Sequence, residues 1–103
     1  DIVLIGPSDM CRKVDLTYET FPNLENVRDA LKKAAFEEGV GFFDTYAFMG
    51  GVGSMRRWVE EVNPPLAGPD YIHFTPKGAR KAGEGILRAL EAQLQNDGVD
   101  APL

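Results

Sequence analysis

The run Ile2-Val3-Leu4-Ile5, apolar at successive positions and stopped by Gly6-Pro7, constrains this chain more than any other feature. It is short and rich in β-branched residues, and neither of its faces alternates toward polar side chains. A strand of that pattern is buried on both sides, as in a parallel sheet covered by helices. Proline has no N–H for a sheet ladder, so Pro7 ends the strand. A second short apolar run, Val40 to Phe43, ends at Asp44. Between them Leu24, Val27, Leu31, Ala34 and Ala35 recur at helical spacing, with Arg28, Asp29, Lys32, Lys33 and Glu37 on the other side. Asn23 suits the N-cap, Glu25 complements the helix dipole and Gly39 suits the C-cap. The spacing predicts a helix over about 24 to 38 and makes the first part of the chain a βαβ unit.

Residues 8 to 23 are polar and irregular and read as a loop. Gly50-Gly51-Val52-Gly53 reads as a flexible loop, with Ser54 capping a short helix that carries Met55, Trp58, Val59 and Val62 on one side. Arg56–Glu60 and Arg57–Glu61 stand at i,i+4 on the other side. Asn63-Pro64-Pro65 ends that helix. Thr75-Pro76 starts another, with Thr as N-cap and Pro in the first turn. Its stripe is Ala79, Ala82, Gly83, Ile86, Leu87, Leu90 and Leu94. Asn96-Asp97-Gly98 closes it, and the tail over 96–103 is expected to fray. The plan is an α/β chain with too few strands. Two parallel strands apolar on both faces want neighbours this sequence does not supply. Either a second copy or a further stretch of the same protein is expected to provide them, and the start at Asp1 rather than Met agrees with a longer protein.

Composition narrows the partners. The 103 residues carry 11 Lys and Arg against 16 Asp and Glu, a net charge of −5, which argues against a nucleic-acid partner because phosphate binding needs a basic patch. No apolar run approaches a membrane span. One Cys cannot form an internal disulfide. In an open α/β sheet, sites form at the carboxyl ends of the strands, here Gly6-Pro7-Ser8-Asp9 and Asp44-Thr45-Tyr46. The loop before the last helix returns to that edge with the single histidine, His73, and Asp70 three residues earlier. A carboxylate beside a histidine fixes its tautomer and stabilises the imidazolium, as a general base for a serine nucleophile requires. The same spacing also suits an Asp and a His that only bond backbone at a helix start.

The block Asp70-Tyr71-Ile72-His73-Phe74-Thr75-Pro76-Lys77-Gly78-Ala79 resembles the last conserved block of the SGNH (GDSL-type) esterases and lipases. Gly6-Pro7 and Phe43-Asp44 fall where that family ends its fourth and fifth strands. The segment from Gly50 to Trp58, followed by Pro64-Pro65-Leu66-Ala67-Gly68, resembles bacterial surface or periplasmic members that act on carbohydrate esters. The resemblance covers about residues 1 to 94. It implies a three-layer, flavodoxin-like α/β fold, an acyl or acetyl ester as substrate, Asp70 and His73 as catalytic residues, and an extracytoplasmic location. The family's Gly-Asp-Ser nucleophile block and its oxyanion-hole Gly and Asn are missing here. The resemblance therefore implies the C-terminal portion of one such domain, holding the base and its orienter but not the nucleophile, and nearly inert by itself.

No residue present replaces that serine well. Ser8 lacks the second glycine of a nucleophile elbow, since Met10 stands there. Ser8, Ser54 and Trp58 are candidates to line the substrate, although Ser54 reads more readily as a cap and Trp58 with Met55 as core. A Cys11–His73 dyad lacks any local signature. A metal site of Asp44, Asp70 and His73 lacks paired ligands, and nothing calls for a cofactor. Two rival classes stand beside the hydrolase: a non-catalytic α/β module that completes its sheet by homodimerisation, and a small CheY-like domain, for which the acidic cluster and the late lysine are missing.

Overall fold

The structure, a computed structural model, describes residues 2–97, with side chains through residue 94. The elements in order are β1 (Val3–Ile5), β2 (Cys11–Val14), β3 (Thr17–Thr20), α1 (Leu24–Glu38), β4 (Gly41–Phe43), α2 (Thr45–Met49), α3 (Ser54–Glu60) and α4 (Pro76–Asp97). The βαβ unit forms as the periodicity predicts. β1 and β4 pair in parallel, Val3 with Gly41, Leu4 with Phe42 and Ile5 with Phe43, and α1 makes the crossover. Gly39 stops α1 in the left-handed region, φ 69°, where a glycine carries no side-chain penalty. The Gly39 and Val40 amides then close back onto Ala35 and Phe36 carbonyls. Asn23 occupies the N-cap without a side-chain bond.

Residues 8–23 are not the loop that their polarity suggests. β2 and β3 form an antiparallel hairpin with Cys11 opposite Thr20, Arg12 opposite Glu19, Lys13 opposite Tyr18 and Val14 opposite Thr17. Asp15 turns it at φ 57°, a conformation Asp tolerates better than most residues. Neighbours along a strand point to opposite faces, so Cys11, Tyr18 and Thr20 share the inner face while Arg12 and Glu19 share the outer one. The charged outer face is what made this stretch read as irregular.

The short elements also depart from expectation. Asp44 ends β4 and then caps α2, its Oδ1 accepting the Ala47 amide at 3.0 Å. Ser54 does not cap α3: Gly53 holds the N-cap position at φ 74°, and Ser54 is the first helical residue, turned fully inside. Glu61 is the C-cap of α3, its amide still bonded to the Arg57 carbonyl at 2.8 Å, but its side chain turns away from Arg57. It accepts from Arg56 at 3.1 Å, as Glu60 does at 3.4 Å. Arg57 instead donates to the Gly50 and Val52 carbonyls, at 3.1 and 3.2 Å, and so staples the glycine loop.

α4 starts as read. Thr75 Oγ1 accepts the Gly78 amide at 3.2 Å and donates to the Pro65 carbonyl at 2.8 Å. Gly78 has no room for a side chain, since a β-carbon there would run into the Leu66 carbonyl. α4 runs on through Asn96 and Asp97, the first residues of the stretch expected to fray; the rest of that stretch, 98–103, lies outside the described residues.

One core cluster joins Cys11, Met49, Met55, Trp58, Leu66 and Ala67, with Tyr18, Val59, Val62, Tyr71 and Phe74 packed against it. It belongs to the hairpin, α2, α3 and the loop before α4. The sheet side is thin. Of the α1 stripe only Leu24 and Ala35 are buried, while Val27 is 48% and the neighbouring Phe36 85% exposed. The Cα radius of gyration is 15.1 Å and the shortest dimension 15 Å. A compact chain of this length has a radius of about 13 Å. A body so flat has a parallel strand pair, a separate two-stranded hairpin and partial helical cover, not three complete layers. Among the described residues no helix is long and apolar enough to cross a membrane.

Candidate active site

The loop between α3 and α4 is folded by its own backbone. Leu66 N–H donates to the Trp58 carbonyl at 3.0 Å, Ala67 bridges Phe74, and Gly68 N–H donates to the His73 carbonyl at 2.8 Å. Its tip, Pro69 to Ile72, is thereby held in a narrow turn that brings Asp70 back under His73. Asp70 Oδ1 accepts the Ile72 amide at 2.9 Å and the His73 amide at 3.0 Å. Asp70 Oδ2 lies 2.7 Å from His73 Nδ1. The His73 amide, then the His73 ring, then the Ile72 amide hold the Asp70 carboxyl down at about 2, below its ordinary 3.8. An ionised carboxylate only accepts, so the ring donates from Nδ1. Nε2 is left with its lone pair free, and the side chain of His73 is 81% exposed. That is the arrangement of a general base whose tautomer is fixed by its partner.

The floor of the loop is aromatic. Trp58 is buried and meets Phe74 with ring centroids 5.3 Å apart. Tyr71 is at φ 58°, its ring stacked on Tyr18 at 3.6 Å and 9°, its hydroxyl donating to Glu60 at 2.8 Å. The hairpin reaches the loop a second time, through the Cys11 amide and the Tyr71 carbonyl at 3.0 Å. Sequence reasoning took Glu60 only as an ion-pair partner of Arg56 and Tyr71 only as part of its block, and it passed over Tyr18, which lay in a stretch read as a loop.

The other candidates lie elsewhere. Ser8 is half-buried in the turn after β1. Ser54 is fully buried and its hydroxyl has no hydrogen-bond partner among the described residues. No hydroxyl among the described residues is hydrogen-bonded to His73. Cys11 is buried, and burial followed by the nearby Asp9 charge pushes its thiol up to about 11, so it is not an activated nucleophile. Asp44 is engaged by Arg28 at 2.9 Å as well as by its capping bond. No group of three or more His, Cys, Asp or Glu side chains among the described residues is placed to hold a metal ion.

No protein-family model matches the chain, and no curated protein matches it. A solved structure of a peptidoglycan O-acetylesterase in action, at 5 min, superposes on it with a TM-score of 0.80 and 25% sequence identity, over 91% of this chain. The fold is esterase-like. The match takes up 26% of the esterase's own length, so this chain spans about a quarter of that protein. This chain is a mixed α/β unit with one parallel strand pair among the described residues.

Proposed function

We propose that this chain is the C-terminal portion of an SGNH-type, flavodoxin-like α/β ester hydrolase, and that the whole enzyme removes an acetyl or other short acyl group from a carbohydrate ester. The observation that carries the reading is the 2.7 Å contact between Asp70 Oδ2 and His73 Nδ1, with Nε2 open to an incoming group. The peptidoglycan O-acetylesterase likeness supports the class of ester, an O-acetyl on a cell-wall glycan. An extracytoplasmic location follows from the family resemblance.

In this reading a serine from elsewhere in the protein brings its hydroxyl to His73 Nε2. The imidazole takes the proton as Oγ attacks the acyl carbon, and Asp70 stabilises the resulting imidazolium. The tetrahedral intermediate collapses, and the imidazolium gives its proton to the sugar oxygen as the C–O bond to the alcohol breaks. Water, deprotonated by the same nitrogen, then releases the acid and restores the serine. The test is turnover of p-nitrophenyl acetate by the full-length protein and by its His73→Ala variant. Loss of about 10²- to 10⁴-fold in kcat is the scale of a positioned general base. Undiminished turnover by the variant would remove His73 from the mechanism.

A further inference from the structure

The dyad is largely exposed, so little packing of its own keeps the imidazole and the carboxylate in register. What holds them is Tyr71, the first of the two residues between them. For the Ile72 and His73 amides both to point at Asp70 Oδ1, the chain must fold over at position 71, and it does so with a non-glycine residue in the left-handed region, φ 58°. A side chain there carries a steric cost and persists only where its surroundings over-determine it. Tyr71 is over-determined by three contacts, one from each of three other elements. Its ring lies flat on Tyr18 of β3 at 3.6 Å. Its hydroxyl donates to Glu60 Oε2 of α3 at 2.8 Å, and its carbonyl accepts the Cys11 amide of β2 at 3.0 Å.

We propose that Tyr71, clamped between Tyr18 and Glu60, is a positioning residue that sets the geometry of the Asp70–His73 dyad, and that the β2–β3 hairpin is the platform for that clamp. The inference rests on the dyad being the base of an ester hydrolase. Released from the clamp, Tyr71 relaxes toward negative φ. The two amides then swing away from Oδ1, the carboxylate rotates, and Nε2 moves off the line to the nucleophile. A misplacement of that size at a reacting nitrogen costs rate while leaving substrate contacts in place.

The experiment uses the full-length protein with p-nitrophenyl acetate. Tyr18→Ala, which removes the stacking partner, is expected to lower kcat by about 10- to 100-fold with KM changed less than about 2-fold. Tyr18→Phe keeps the stacked ring and is expected to restore kcat. Glu60→Gln, an exposed and nearly isosteric change, is expected to lower kcat by about 3-fold and carries the test if Tyr18→Ala does not fold. A carboxyl-carbon NMR titration of Asp70 in Tyr18→Ala should move its midpoint up from about 2 toward 3.8, which mere destabilisation of a still-folded protein would not do. A Tyr18→Ala enzyme with wild-type kcat, or one whose loss lies in KM alone, overturns the clamp. If His73→Ala itself retains turnover, the failure belongs to the underlying reading and not to the clamp.

Discussion

The two ends of this molecule have opposite characters. At the loop end, Met55 is fully buried, Cys11 and Ala67 are 2% exposed, and Trp58 and Leu66 are nearly covered. At the sheet end, Ile2 is 64%, Ile5 47%, Phe36 85%, Leu87 57% and Leu94 47% exposed. The same chain thus closes a core around the turn that carries Asp70 and His73 and leaves the faces of its parallel pair open. Element length does not explain the contrast, because the open end draws on the two longest elements, α1 and α4. Topology does. The hairpin, α2, α3 and the loop wrap one another from several directions, whereas a two-stranded parallel sheet offers two apolar faces and two edges with only α1 and α4 near them. The site is held by the end with the closed core, and the sheet end leaves large apolar side chains exposed.

The sharpest way to break that contrast is to cut side chains on each side of it. Trp58→Ala should destabilise the protein by about 3–5 kcal/mol in urea titrations, the usual range for removing a buried large aromatic. Phe36→Ala in the 103-residue chain should change stability by less than about 0.5 kcal/mol, as at an exposed position. A large Phe36 effect in the full-length protein but not in this chain would locate the missing cover over α1. A large effect in the chain itself, with concentration-dependent melting, would mean that a second copy covers it.

A smaller effect is expected at the joint between the halves. Gly78→Ala forces a β-carbon against the Leu66 carbonyl, where backbone must yield. The cost should be about 1–3 kcal/mol by the same titration, despite the better helix propensity of alanine. Unchanged or raised stability would show that α4 does not dock on Leu66 as described.

The smallest effect is one of pH. The Asp70 carboxyl titrates at about 2 when folded against 3.8 when free. A depressed folded-state value means that its stabilising contribution is complete above about 3.8 and is lost as pH falls through about 2. A carboxyl-carbon titration should show the midpoint near 2; a midpoint near 3.8 would mean that the Ile72 and His73 amides do not reach Oδ1 in solution.

What could be read from the sequence was what is decided locally. The βαβ unit declared itself because its stops, Gly6-Pro7 and Gly39, lie beside the runs they end. Asp70 and His73 could be paired because one turn of chain brings them together. The hairpin was hidden because each strand is four residues long and its outer face, with Arg12 and Glu19, is charged; Cys11 and Tyr18 become inward-facing only once α3 and the loop are there to cover them. Ser54 read as a cap because serine favours that place, but Gly53 at positive φ took the cap and rolled Ser54 inward. Arg57 pairs with the Gly50 and Val52 carbonyls of the glycine loop while Glu61 is taken by Arg56, competing partners that i,i+4 spacing does not reveal. Tyr71 depends on Tyr18 and Glu60, partners that no local pattern links to it.

The central claim is that the Asp70–His73 hydrogen bond makes His73 a base for ester cleavage. The most direct measurement is acetate release from O-acetylated peptidoglycan by the full-length protein carrying Asp70→Asn, which keeps the size of the side chain and removes its charge. The account predicts a fall of about 10²-fold or more in kcat with the protein fully folded. Acetate release at the rate of the unsubstituted protein would contradict it.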